Sequence, residues 1–105
     1  MIRAAIRGAG YENLKHALAN RLPFRTSGAL SGDTREVGKY GFFESGYLRG
    51  ADLDRFREDR DSIVYIVRSY ATPIAWVTDD GTVYKVAQKF SVTTGRHQSA
   101  VRAWL

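Results

Sequence analysis

The most regular pattern of apolar positions begins after Ser62. Ile63-Val64-Tyr65-Ile66-Val67 is β-branched, aromatic and apolar without alternation, the composition of a strand covered on both faces. Thr72-Pro73 limits where the next strand begins, because proline has no N–H to give a ladder, and Ile74-Ala75-Trp76-Val77-Thr78 continues it. Asp79-Asp80-Gly81 has hairpin chemistry, with Gly81 able to take a positive φ, and Thr82-Val83-Tyr84-Lys85-Val86 runs back. The pattern predicts a three-stranded antiparallel meander, with Phe90 to Val92 as an optional extension.

Helical spacing appears on both sides of this block. Over Tyr11 to Leu22, Leu14, Ala17, Leu18 and Arg21 recur every three or four residues; Gly10 precedes the stretch and Pro23 closes it by disfavouring helical geometry at Leu22. Ala51 to Arg60 reads as a short helix with Leu53 and Phe56 inward and its charges solvated. Thr93-Thr94 is an N-cap pair for a helix from Gly95 to Trp104 that lays His97, Val101, Trp104 and Leu105 on the sheet. Between Phe24 and Gly50 no period holds. Glycines punctuate that stretch, and Tyr40, Phe42, Phe43 and Tyr47 cluster in it. It is expected to cross the domain, pinned by those aromatics, with one short strand near Val37 to Phe43, local disorder being the alternative. The fold class is α+β: a small antiparallel meander packed with N- and C-terminal helices and an irregular Gly-rich segment.

Composition narrows the picture. With 105 residues, 44% hydrophobic and 26% charged, residues 1–105 make one globular domain with one core. The thin stability margin of so short a chain keeps a homodimer open. The absence of cysteine removes disulfides, zinc-thiolate sites and thiol nucleophiles. The longest apolar run, Ile63 to Val67, is far below the roughly 20 residues that span a bilayer. Arginine interrupts the first eight residues too soon for a secretory signal, so the cytoplasm is the expected location and no membrane partner is expected. The net charge of +5 is unevenly spread: from Thr82 to Leu105 the chain carries Lys85, Lys89, Arg96 and Arg102 and no acid.

The stretch Arg68-Ser69-Tyr70-Ala71-Thr72-Pro73-Ile74-Ala75-Trp76-Val77, followed after a turn by Phe90-Ser91-Val92-Thr93-Thr94-Gly95-Arg96-His97-Gln98, resembles a family of small proteins of actinobacteriophages and their hosts. The family pattern is S-Y-x-T-P-I-A-W, a hairpin, then Y-S-V-T-T-x-x-H-Q; here Phe90 replaces its usual tyrosine, which weakens any role for a hydroxyl there. The resemblance implies a phage or prophage gene and supplies no mechanism, since no activity is established for the family.

Candidate chemistry centres on Thr93, Thr94, His97 and Gln98. A catalytic reading makes His97 a general base or Thr94 a nucleophile, which requires a base oriented by a third group. The structural reading, which is favoured, makes Thr94 a cap and His97 a satisfied core residue bonded to a strand carbonyl. His16 stands alone as a surface residue. The acids Asp52, Asp54, Glu58, Asp59 and Asp61 alternate with Arg55, Arg57 and Arg60, the pattern of a salt-bridged solvated face more than of paired catalytic carboxylates. Gly8-Ala9-Gly10 and Gly28 to Gly32 complete no nucleotide fingerprint. No catalytic residue, cofactor or metal is therefore expected. The preferred expectation is a non-enzymatic phage-type accessory protein that binds a host or phage protein, or itself, through Tyr40, Phe42, Phe43 and Tyr47. The alternative is a nucleic-acid binder using Lys85, Lys89, Arg96 and Arg102.

Overall fold

The computed structural model describes residues 1–36 and 42–105. It is α+β: six strands form one sheet in chain order, β1 (Ile2–Arg3), β2 (Phe24–Arg25), β3 (Leu30–Thr34), β4 (Ile63–Ser69), β5 (Thr72–Thr78) and β6 (Val83–Lys85). All neighbours are antiparallel except β1 and β2, which run parallel because helix α1 (Gly10–Ala19) carries the chain across between them. Helices α2 (Gly50–Asp59) and α3 (Val92–Trp104) complete the fold.

The sheet has a core on each face. Leu14, Ala17 and Leu18 of α1 and Ala100 and Val101 of α3 pack with Phe24, Leu30, Tyr65, Val67, Ala75 and Val77. On the other face Phe56 of α2, with Phe42 and Leu48, packs on Ile63, Ile66, Trp76 and Val86. Two bulges reconcile the unbroken apolar run with the two-residue period of a strand. Ile63 opposes Thr78 and Tyr65 opposes Val77, so Val64 is the extra residue, and it is exposed. Val67 opposes Ala75 and Arg68 opposes Pro73, so Ile74 is extra, and Ile74 joins Ala75 in the same core. Both faces of β4 and β5 are covered, as their composition requires.

The meander of β4, β5 and β6 and the turn at Gly81, with φ of 88°, match the sequence pattern. The sheet is larger than the pattern predicts, because Phe24–Arg25 and Leu30–Thr34 pair as strands although their sequence shows no alternation. Most of the strand expected near Val37 to Phe43 falls on residues 37–41, outside the described residues, and Phe42 and Phe43 lie in a turn. The stretch from Phe90 to Ser91 is not a strand, and Val92 opens α3.

Two helix ends differ from expectation. Helix α1 ends at Ala19, not at Leu22. The Leu22 N–H reaches the Ala17 carbonyl, the Arg21 N–H reaches that of Leu18, and Arg21 takes φ of 55°. This six-to-one and five-to-two pairing satisfies the last carbonyls before Pro23 is reached. Helix α3 begins at Val92, about one turn before the expected start at Gly95. Its N-cap is Ser91, whose Oγ accepts the Thr94 N–H at 3.2 Å, so Thr94 is the third helical residue. Among the described residues no helix is long and apolar enough to cross a membrane.

Candidate functional site

The two-residue hairpin between β4 and β5 gathers most of the chemistry. Ser69 pairs with Thr72, leaving Tyr70 and Ala71 as the turn, and Tyr70 takes φ of 57°. That region suits glycine or asparagine, so a tyrosine there holds strain of about 1–3 kcal/mol. The Tyr70 N–H donates to the Ala29 carbonyl at 3.0 Å, tying this turn to the loop between β2 and β3. Its side chain is 62% exposed.

Beneath the turn, Ser69 meets the start of α3. Ser69 Oγ lies 2.9 Å from Thr94 Oγ1 and 2.7 Å from His97 Nδ1, and all three residues are buried. Ser91 Oγ donates to Thr94 Oγ1 at 3.3 Å. Donor and acceptor roles between Ser69 and the ring follow the tautomer: a proton on Nε2 leaves Nδ1 to accept the Ser69 hydrogen, and a proton on Nδ1 reverses that bond. Burial lowers the His97 pKa from its ordinary value, which favours the neutral ring.

His97 is 6% exposed and forms part of the wall of an open cleft of about 600 Å³, together with Ile6, Arg7, Leu30, Tyr70 and Thr93. Its ring thus bonds a strand hydroxyl in place of the expected strand carbonyl. Ser69 cannot present its oxygen to the cleft as a nucleophile: it is 2% exposed and held by two partners. Gln98, the next residue, faces the other way and donates to the Val86 and Gln88 carbonyls at 3.0 Å each.

The aromatic quartet divides. Tyr40 lies outside the described residues. Phe42 is 2% exposed, so the structure places it in the core and not on a binding surface. Phe43 is partly exposed, edge-on to Phe42 and beneath the Arg35 guanidinium. Tyr47 is 78% exposed. Its N–H donates to Thr72 Oγ1 at 2.9 Å and its carbonyl accepts from Gln88 Nε2 at 3.1 Å, which sets it beside the Tyr70 turn. The segment from Phe42 to Leu48 is held by polar contacts as much as by aromatics. Arg68 donates to the carbonyls of Phe42 at 2.7 Å and of Glu44 and Ala71 at 2.9 Å.

Among the basic residues, Lys85 is exposed on β6 and its Nζ donates to the Arg102 carbonyl at 3.4 Å. Lys89 and Arg102 border one depression, and Arg96 lies on the exposed side of α3.

The acidic helix is only partly solvated, a correction to the sequence reading. Asp52 is buried, accepting the Tyr84 hydroxyl at 2.6 Å and the N–H groups of Gln88 at 2.8 Å and Ala87 at 3.3 Å. Burial first, then this bond to Asp52, pushes the Tyr84 hydroxyl up to about 12. Asp59 accepts Trp76 Nε1 and Arg55 Nε, both at 2.9 Å. His16 is exposed, with Asn20 against its ring. Among the described residues no three of His, Asp or Glu are grouped so as to hold a metal ion.

Sequence reasoning missed Ser69, Tyr70 and Ser91. The pair Tyr70-Ala71 between two strands has the length of a hairpin turn, but without glycine or asparagine it carries no turn signature. Nothing local marks a serine whose partners lie 25 and 28 residues away.

Comparison with known proteins matches residues 12–103 to a family described as a family of unknown function (DUF8033). No curated protein and no solved structure matches the chain. The match spans nearly the whole chain, leaving out residues 1–11 and with them Ala5, Ile6 and Arg7 of the cleft, and the chain belongs to that family.

Proposed function

We propose that this protein is a non-enzymatic accessory protein that binds another protein through the end of the molecule bearing Tyr47, Tyr70 and Val92. The observation that carries this reading is Tyr70, a large aromatic held exposed at a backbone conformation that glycine would adopt without strain. Strain kept at an exposed side chain suggests that the side chain is needed there. Tyr47 stands beside the same turn, and Val92, 76% exposed, opens the helix whose Thr94 is bonded to Ser69. Aromatic side chains on a fixed backbone anchor interfaces with little loss of conformational entropy. Arg7 borders the cleft next to Tyr70, and Arg49 and Lys89 border a depression next to Tyr47, so an acidic protein surface complements this end. The resemblance to actinobacteriophage proteins favours a phage gene product, with a host or phage protein as partner.

Tyr70→Gly tests this reading. The variant is expected to keep or raise the melting temperature, because strain is relieved, while losing whatever partner the parent protein captures in cells by crosslinking and mass spectrometry. Unchanged capture by Tyr70→Gly and Tyr47→Ala would overturn the reading. A sedimentation measurement on the parent protein separates a second copy of this chain from a different partner.

A second reading, nucleic-acid binding, is favoured by one observation: the fold puts Lys85, Lys89 and Arg102 on neighbouring surface, with Arg96 on the same helix as Arg102. It requires binding to duplex or single-stranded DNA at about 50 mM salt that weakens steeply as salt rises.

A further inference from the structure

We propose that the cleft between the β4–β5 turn, the β2–β3 loop and the start of α3 is a binding site for a small carboxylic acid with an apolar body. Its volume of about 600 Å³ lies within the roughly 300–1,000 Å³ typical of small-ligand sites. Ala5, Ile6, Ala29 and Leu30 supply an apolar wall, and no acidic residue lines it.

The only charged side chain among the described lining residues is the cation Arg7, beside the hydroxyl residues Thr26, Ser27, Tyr70 and Thr93 and the ring of His97. His97 is nine-tenths buried, and its Nδ1 is committed to Ser69. Nε2 is not enclosed and makes no hydrogen bond among the described residues, and in the proposed site it carries the ring proton and offers it to the cleft. In that arrangement the hydroxyls of Ser91, Thr94 and Ser69 pass their hydrogens toward Nδ1 and hold the ring proton on Nε2 as a preorganised donor. Arg7 adds a full positive charge at the rim, with a planar fork suited to a carboxylate. Thr93 brings the positive end of α3 to the same cleft. A carboxylate at the Arg7 and His97 side with its hydrocarbon against Ile6 and Leu30 satisfies every group named here. An amine would be repelled by the Arg7 charge and by the positive end of α3. An alcohol would leave Arg7 unanswered.

The cleft shares Tyr70 and Arg7 with the proposed protein-binding end, and the test keeps the two readings apart. ¹⁵N-labelled protein is titrated with 3-phenylpropionate and with hexanoate, and separately with their primary amides. The expected result is saturable shifts at Gly28, Ala29, Thr93 and the His97 ring, with each acid binding about tenfold or more tightly than its amide. Arg7→Gln, a change at an exposed side chain, should bring the acid down to the affinity of its amide and leave the amide unaffected. Long-range ¹H–¹⁵N spectra of the free protein should show the His97 proton on Nε2. Absence of saturable shifts up to about 10 mM, equal affinity for acid and amide, indifference to Arg7→Gln, or a proton on Nδ1 would each overturn the proposal. None of these outcomes bears on whether Tyr70→Gly loses its protein partner.

Discussion

His97 shows how one residue can be both a packing element and a chemical group. Its ring is enclosed against the sheet and bonded through Nδ1, yet its other nitrogen faces the cleft. Because burial lowers its pKa from 6.5, the unfolded chain takes up a proton first as the pH falls. The contribution of the neutral ring to stability is therefore complete above pH 6.5 and declines as the pH drops toward the folded value. His97→Gln removes this dependence: its unfolding free energy in urea should be lower at pH 7, by about 1–2 kcal/mol for the lost buried bond, and should change less than the parent's between pH 7 and 5. An equal pH slope in both proteins would show that the ring is not the titrating group. The candidate residue itself was legible in the sequence, since helical spacing alone turns His97 toward the sheet. Its partner was not, because a hydroxyl 28 residues away comes into range only when β4 is laid beside α3.

At the scale of elements, the helices repaid sequence reading best. The stripes Leu14, Ala17, Leu18 and Phe56 are buried as their spacing requires. Helix ends and charged faces were less legible. Ser91 and Thr93 are both good caps by residue type, and what selects Ser91 is where the chain leaves the loop after Val86. The acids of α2 look alike in sequence, but Asp52 sits on the turn that faces Tyr84 and the backbone of Ala87 and Gln88. It joins α2 to the end of β6 by three bonds to one carboxylate. Asp52→Asn keeps the shape but replaces an acceptor-only group with one that carries donors, and should cost about 2–3 kcal/mol by urea unfolding. The same change at exposed Asp54 should be near neutral. Equal effects at the two positions would mean that the carboxylate does not hold the helix in place.

Across the whole molecule, the stretch from Phe42 to Leu48 is held by what it leans on. Gly46 takes φ of 56°, and a Cβ there would lie 2.6 Å from Thr72 Cα. The approach lets the Tyr47 N–H reach Thr72 and lets Phe42 and Leu48 enter the second core. Gly46→Ala combines a left-handed backbone, about 1–2 kcal/mol, with overlap against β5, about 1–3 kcal/mol. A loss of about 2–4 kcal/mol is expected in denaturant unfolding with an unchanged m-value; a loss below about 0.5 kcal/mol would show that the loop does not press on β5. By itself the sequence determined the α+β class, the central meander and its turn, the buried faces of the helices and the inward orientation of His97. All of these follow from period, turn chemistry and local propensity within about a dozen residues. Only the tertiary structure decided that Phe24 to Thr34 adds two strands, that Phe42 is core while Tyr47 and Tyr70 are surface, and that a relay of hydroxyls ends at a cleft. Those outcomes depend on pairings between distant segments, and a side chain's exposure or its hydrogen-bond partner is a property of the neighbour that arrives, which no local pattern encodes.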